Sequence, residues 1–237
     1  EDIVILKKLG LTPILVHGGG LGIKKKLDKL NIKSKFVMGL RVTDEKMIKI
    51  VENVMDKFNK EIIDTLEKKS CKAKPITIKK NNIIYVDQEN KELGYVGKPK
   101  RIDVKSLKEI IKEDFVPVIT PMGLDDKGTP HNINADNAAG ALARSIKSRR
   151  LILLTDVEGV MDNNDKLISE VNTTEAKELI NNQTIHGGMI PKVKTCIDAI
   201  NNGVRAVVII DGRKPHSILF ELFSDKGSGT LIRKWKN

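Results

Sequence analysis

A chain of 237 residues, 40% hydrophobic and 31% charged, is long enough to bury one large α/β core or two lobes of one, and with aromatics at 3% that core must be aliphatic. The formal net charge of +11 favours anionic partners, but it is spread over many helices, with no basic tail and no aromatic interleaving, so it reads mostly as solvated surface and no nucleic-acid partner is expected. No apolar run approaches membrane-spanning length, and Cys71 and Cys196 have no ligand-like spacing, so no membrane partner is expected and the thiols read as reduced, in a cytoplasmic setting.

The chain opens on Glu1 rather than Met and enters at once into an apolar pattern (Ile3, Val4, Leu6, Leu9), which predicts a helix closed by Gly10 and leaves an upstream targeting peptide open. Pro13 to Val16 reads as a short strand. It runs into His17-Gly18-Gly19-Gly20 and then a helix from about Ile23 to Leu30. Strand, glycine run and helix N-terminus together suit an anion, because backbone N–H groups can approach an oxyanion with no Cβ in the way. The run is neither a Walker A loop nor the dinucleotide fingerprint. A tight turn that needs positive φ is the plainer alternative.

Thr43 is the expected N-cap of a long helix with Met47, Ile48, Val51, Val54, Met55, Phe58, Ile62 and Leu66 at three-and-four spacing. Arg41 stands just before that cap, where its fork suits a carboxylate. Pro75 to Ile78 and Ile83 to Val86 read as two strands joined by a hairpin turn at Asn81-Asn82, and residues 87–100 as a loop or flap. Asp103 should cap a helix to about Glu113, followed by a buried strand from Val116 to Thr120 and a polar turn to Pro130.

His131-Asn132-Ile133-Asn134-Ala135-Asp136 then opens a helix rich in small residues, from Asn137 to about Ile146. Its two amides and one carboxylate can bind a polar substrate, although Asp136 could also be a simple N-cap. Leu151 to Leu154 reads as a parallel strand buried on both faces, ending in Thr155-Asp156-Val157-Glu158-Gly159. A short helix (Thr173 to Ile180) leads to Gly187-Gly188-Met189-Ile190-Pro191-Lys192, with Pro191 near helix position one. Lys192, a cation in a first helical turn, calls for an anion beside it. A buried strand (Ala206 to Ile210), a helix (Pro215 to Phe223) and a strand (Gly227 to Ile232) close the chain. Strands alternate with helices without internal repeats, which predicts an α/β three-layer αβα sandwich with a mostly parallel central sheet.

The stretches His17 to Gly20, Gly39-Leu40-Arg41-Val42-Thr43, Asn132 to Asp136, Leu153 to Val157 and Gly187 to Lys192 occur in an order that resembles the amino acid kinase family, over nearly the whole chain. Gly39 to Thr43 and the Asn-Ile-Asn-Ala-Asp stretch resemble specifically its branch acting on N-acetyl-L-glutamate. The resemblance implies ATP-dependent phosphorylation of that substrate's side-chain carboxylate, in arginine biosynthesis, with Mg²⁺ arriving on ATP and no tightly bound cofactor or resident metal. It implies a substrate lobe over residues 1–147 and an ATP lobe over residues 148–237 of one continuous fold.

By the same resemblance Gly18, Gly19, Arg41 and Asn132 bind the substrate, Asp136 orients catalytic lysines, and Lys192 neutralises the phosphoryl group. Thr155, Asp156, Gly159 and Met161, with Thr184, Ile185 and His186, line the nucleotide site. His216, Glu221 and Gly227 resemble the C-terminal part of arginine-inhibited members, which implies L-arginine as a feedback inhibitor and a homo-oligomer, dimer or hexamer. Two departures stand out. The family's opening strand, with a catalytic lysine and a glycine pair, is expected upstream of Glu1, so this chain by itself is expected to be inactive. A Gly-Leu-Ser-Gly-like turn is replaced by Pro75-Ile76-Thr77-Ile78-Lys79-Lys80. The alternatives are another amino acid kinase, or a non-catalytic arginine- or nucleotide-sensing paralogue.

Overall fold

The structure is a computed structural model that describes residues 1–37 and 39–234. Cα packing divides the chain into two units, Ile3–Ala139 with Glu1 and Gly140–Asn237 with Asp2.

The first unit runs in the order α1 (Asp2–Lys8), β1 (Leu15–Val16), α2 (Gly20–Lys29), β2 (Phe36–Val37), β3 (Leu40–Arg41), α3 (Glu45–Glu67), β4 (Ala73–Ile76), β5 (Ile84–Gln88), β6 (Gly97–Ile102), α4 (Val104–Lys112), β7 (Val116–Ile119), β8 (Met122–Leu124) and β9 (Pro130–Asn132). The unit boundary falls inside α5 (Ala135–Ser145). Strands β1, β7 and β4 form a parallel sheet in that order. All four residues of β7 are buried. Val116 and Val118 face Val4 of α1 and Ile63 and Leu66 of α3. Alternation puts Pro117 and Ile119 on the other side, and α4, whose buried Leu107 and Ile110 lie outside that cluster, also packs on β7.

Helix α1 closes at Gly10 as expected, with Leu11 N–H bonded to Leu6 O and Gly10 N–H to Lys7 O, both at 3.0 Å. That is a Schellman arrangement, and Gly10 supplies its left-handed φ of 78°. Helix α3 buries Met47, Ile48, Val51 and Met55 against Ile23 and Leu27 of α2 and Met122 of β8. Its N-cap is Asp44, whose carboxylate accepts from Met47 N–H at 2.7 Å, and not Thr43. Thr43 is drawn into strand-like pairing instead: its N–H bonds to Leu93 O and its carbonyl accepts from Tyr95 N–H.

The expected hairpin between residues 75 and 86 does not form. Strand β4 pairs with β7, whereas β5 pairs antiparallel with β6 in a separate four-stranded sheet ordered β6-β5-β8-β9. Residues 87–100, expected as a loop, supply the end of β5, a 3₁₀ turn (Lys91–Leu93) and the start of β6. Strand β6 escaped notice because it is an edge strand, where Pro99 and charged residues are tolerated and apolar alternation is not needed. The polar turn expected over 121–130 likewise carries β8 and leads into β9, and Asp125 between them accepts from the N–H groups of Lys127 and Thr129.

The second unit contains β10 (Leu151–Thr155), β11 (Glu170–Asn172), α6 (Thr173–Asn181), α7 (Met189–Asn201), β12 (Ala206–Asp211), α8 (Ser217–Phe223) and β13 (Gly229–Arg233). Its sheet is ordered β10-β12-β13-β11. The β10–β12 and β11–β13 pairs are parallel and β12–β13 is antiparallel. Strand β12 is buried from Val207 to Asp211, with α7 and α8 both packed against it. Strand β10 was expected to be buried on both faces. Leu151 and Leu153 are buried, but Leu154 is 51% exposed, so only one face is covered there. Each unit layers helices over a sheet with parallel pairs, and the α/β three-layer expectation holds. No helix among the described residues is long and apolar enough to cross a membrane.

Gly94 shows how tightly the first unit is closed: its φ is 68°, and a Cβ there would stand 2.3 Å from Thr43 O. Gly94→Ala is expected to destabilise the fold by roughly 1–3 kcal/mol. Chemical denaturation checks this, and an unchanged midpoint would contradict the packing described.

Candidate active site

The glycine run begins where β1 ends, at the His17 N–H bonded to Ile119 O. None of Gly18, Gly19 and Gly20 has a positive φ, so the tight-turn explanation fails. A Cβ on Gly18 or Gly20 would meet nothing within 4 Å, and one on Gly19 would stand 2.5 Å from Met55 Sδ. Packing therefore explains glycine at position 19, whereas at 18 and 20 glycine keeps space open. No acceptor among the described residues takes the N–H of Gly18 or Gly19, and α2 starts at Gly20 with no side-chain cap. Uncapped N–H groups at a helix N-terminus attract an anion through hydrogen bonds and the helix dipole.

Strands β2 and β3 form a hairpin that the sequence reading missed; Phe36 and Arg41 face each other across it. The Arg41 guanidinium lies 4.6 Å over the Phe36 ring and donates to Ser34 Oγ. It has no carboxylate partner among the described residues, and burial holds its pKa below the usual value. A half-buried cation without a counter-charge is stabilised by an anionic ligand.

Asn132 ends β9. Its N–H bonds to Tyr95 O at 2.9 Å, and it pairs with Met122 and bridges to Val96. Asn134, not Asp136, caps α5: its side chain accepts from Asn137 N–H at 3.1 Å. Asp136 is left half-buried in the first turn of that helix. Gly18, Gly19, Arg41 and Asn132 line one cleft of about 180 Å³, together with Gly20, Phe36, Met55, Val96, Pro121, Asn134 and Ala135. Arg41 carries the one formal charge among the described lining residues. The cleft can hold an elongated anion by one ion pair, one amide and backbone N–H groups.

In the second unit, Thr155 and Asp211 are partners at the C-terminal ends of parallel β10 and β12, the place where open α/β sheets bind ligands. Asp211 is buried and takes a two-pronged contact from Arg213, Nε at 2.9 Å and Nη2 at 2.8 Å, plus the Arg213 N–H. These bonds hold its pKa down at about 2. Asp156 is exposed and accepts from Thr155 Oγ1 at 3.3 Å. Gly159 packs on Thr230, where a Cβ would come within 2.6 Å of Oγ1, and Met161 bridges to Leu167. Thr184 and Ile185 are buried in the link between α6 and α7, and His186 is exposed.

Lys192 is half-buried in the first turn of α7, which starts after Gly188 with no side-chain cap; Pro191 is its third residue, not its first. Of the expected effector residues, Glu221 and Gly227 meet. Glu221 is buried, with Oε1 taken by Arg150 at 3.2 Å and Oε2 by Ser228 N–H at 2.8 Å, against Gly227. His216 stands exposed at the start of α8. Among the described residues no group of three or more His, Cys, Asp or Glu could hold a metal ion.

The sequence model of the amino acid kinase family matches residues 1–211. The chain belongs to the amino acid kinase family. This amino acid kinase is 60% identical over 234 residues to the acetylglutamate kinase of Pelagibacter ubique (strain HTCC1062), covering 99% of the chain and 81% of that relative. It is 46% identical over 240 residues to the acetylglutamate kinase of Petrotoga mobilis (strain DSM 10674 / SJ95), covering 99% of the chain and 80% of the relative. Among solved structures, smu.665 from Streptococcus mutans UA159 superposes with a TM-score of 0.86 at 27% identity, over 98% of this chain and 90% of that one.

Two outcomes follow from the geometry of this kinase. Gly18→Ala should keep or raise stability, by up to about 1 kcal/mol from a stiffer unfolded chain, while weakening binding of a dicarboxylate in the cleft. Melting curves with calorimetric titration check this; weakened folding with unchanged binding would contradict it. The Asp211–Arg213 contact should contribute stability fully above about pH 4, the unfolded carboxylate range, and lose it as pH falls toward about 2. Acid unfolding of Arg213→Ala beside the parent should show that the parent's extra stability disappears across this window. A difference that persists below it would contradict the assignment.

Proposed function

We propose that this amino acid kinase transfers the γ-phosphoryl group of ATP to the side-chain carboxylate of N-acetyl-L-glutamate, forming an acyl phosphate and ADP, in arginine biosynthesis. The observation that carries this reading is the cleft in which an uncompensated Arg41 shares walls with Asn132 and the unbonded N–H groups of Gly18 and Gly19. A dicarboxylate fits that set: Arg41 pairs with the α-carboxylate, Asn132 holds the substrate's polar body, and the glycine N–H groups face the reacting carboxylate and incoming phosphoryl. The relatives at 60% and 46% identity, both named acetylglutamate kinase, support the same substrate.

The substrate carboxylate is ionised at pH 7 and is itself the nucleophile. One of its oxygens bonds to the γ-phosphorus as the bond to the ADP oxygen breaks, so no general base is required. The protein's part is in-line positioning and charge compensation. Lys192 compensates the phosphoryl charge, and Asp136 orients the catalytic lysines. Mg²⁺ enters as part of the nucleotide substrate.

In this reading residues 1–147 hold N-acetyl-L-glutamate and residues 148–237 hold ATP, through Thr155, Asp156, Gly159 and Met161 and through Thr184 to His186. L-Arginine acts as feedback inhibitor at His216, Glu221 and Gly227, in competition with the Arg150 guanidinium that occupies Glu221 Oε1, and the working form is a homo-oligomer.

The test is ATP-dependent acyl-phosphate formation by the full-length protein with N-acetyl-L-glutamate, L-glutamate and L-aspartate. Turnover with the first alone is expected. Arg41→Ala should raise KM for N-acetyl-L-glutamate by about 10- to 100-fold, the scale of a charge-assisted hydrogen bond, with a smaller change in kcat. Equal turnover of the free amino acids, or ligand binding without turnover, would overturn the reading, the latter in favour of a sensor.

A further inference from the structure

His17 and Asn59 are buried polar side chains that the reaction as described does not use. His17 Nδ1 lies 2.9 Å from Gly18 O, and its Nε2 lies 3.2 Å from Asn59 Nδ2. Asn59, from the middle of α3, also donates through Nδ2 to Val118 O of β7 at 2.9 Å. Its Oδ1 is buried without a hydrogen-bond partner. The His17 ring packs edge-on against Phe58 at 5.2 Å.

Accepting that the glycine N–H groups face the transferring phosphoryl, we propose that His17 and Asn59 are positioning residues: a hydrogen-bonded relay from β7 that fixes the Gly18–Gly19 peptide so that its N–H is presented to the reacting oxygens.

The relay can run in one direction only. Val118 O is purely an acceptor, so Asn59 must turn its NH₂ toward it. A flipped amide would set Oδ1 against another carbonyl. The second N–H of that NH₂ then meets His17 Nε2, which must carry a lone pair. Gly18 O is also purely an acceptor, so the ring proton sits on Nδ1 and is donated to it. Each choice forces the next, as the tautomer of a histidine follows from the bond its other nitrogen makes. Burial, which pushes the His17 pKa down, agrees with a neutral ring.

The consequence lies at the next atom. In a trans peptide the C=O and N–H point in opposite directions, and no peptide among the described residues is cis. Pinning the Gly18 carbonyl to His17 therefore turns the Gly19 N–H away from the ring. That N–H has no acceptor within the described residues, and Gly19 lines the cleft. Glycine has the freest backbone of any residue, so a run of three would otherwise let this peptide rotate. The unpartnered Asn59 oxygen is the cost of holding the donor direction.

Full-length wild type, His17→Asn and His17→Gln distinguish positioning from simple core packing. The Asn amide sits where Nδ1 was and can still donate to Gly18 O. The Gln amide reaches the Nε2 position and can still pair with Asn59, but leaves Gly18 O unheld. Both variants lose the ring and one hydrogen bond, so their melting temperatures should fall together. Expected is kcat for N-acetyl-L-glutamate within the wild-type order of magnitude in His17→Asn and down about 10²-fold in His17→Gln, the scale of one oxyanion donor. Equal losses in the two variants, or none in either, would overturn the relay. Nitrogen-15 spectra of the wild-type imidazole should show the proton on Nδ1; a proton on Nε2 overturns it whatever the substrate is. Wild type that makes no acyl phosphate would instead count against the proposed function.

Discussion

The site rests on one constraint: two peptide N–H groups, at Gly18 and Gly19, that have no acceptor among the described residues and no Cβ in front of them. Ordinary folding satisfies such groups, and leaving them exposed in a cleft has value only when a ligand oxygen completes them. The neighbouring elements serve that arrangement. Strand β7 aligns β1 so that the run starts at its end, α2 starts uncapped behind it, and α3 supplies Met55 against Gly19 and Asn59 beneath His17. The Arg41 hairpin then brings one positive charge to a wall that otherwise carries dipoles. An anion held this way meets electrostatics that are already oriented, so little reorganisation is needed when phosphoryl charge develops.

The second unit is organised on the same plan with different means. Its strand ends are tied down by side-chain and backbone bonds: Arg213 clamps Asp211, Gly212 N–H bonds Thr155 O at 2.8 Å, and Lys214 pairs with Glu158. Thr230 braces the turn after β10 through Val160 N–H and Ile168 O. Asp156 stays exposed beside them, accepting from Thr155 Oγ1. Bonds of this kind keep the polar groups of the strand ends in fixed positions.

Much of this was legible in the sequence because local chemistry and tertiary structure agree there. Asp103 caps α4 and Gly10 closes α1 as their residue types require, and Gly18 to Gly20 announce an open stretch of backbone that lines a cleft. The misses came where long-range pairing overrode local signals. Asn81-Asn82 resembles a hairpin turn, yet the strands on either side join different sheets, a choice made by β7 and β6 rather than by the turn. Thr43 lost its cap role to pairing with Leu93 and Tyr95, and Asp136 lost its own to Asn134. The Phe36–Arg41 stack had a signal, two short apolar runs around Gly39 with its φ of 79°, that only a hairpin reading would have used.

The central claim is that one cleft in the first unit binds the phosphoryl acceptor through these N–H groups and Arg41. The most direct measurement is a titration of N-acetyl-L-glutamate into nitrogen-15-labelled protein, following the Gly18 and Gly19 amides and the Arg41 Nε–H. The account predicts that all three move together and saturate with a single dissociation constant, and that N-acetyl-L-glutamine, which lacks the second carboxylate, shifts Arg41 but moves the glycine amides far less. Saturable binding that leaves the glycine amides unmoved would contradict it.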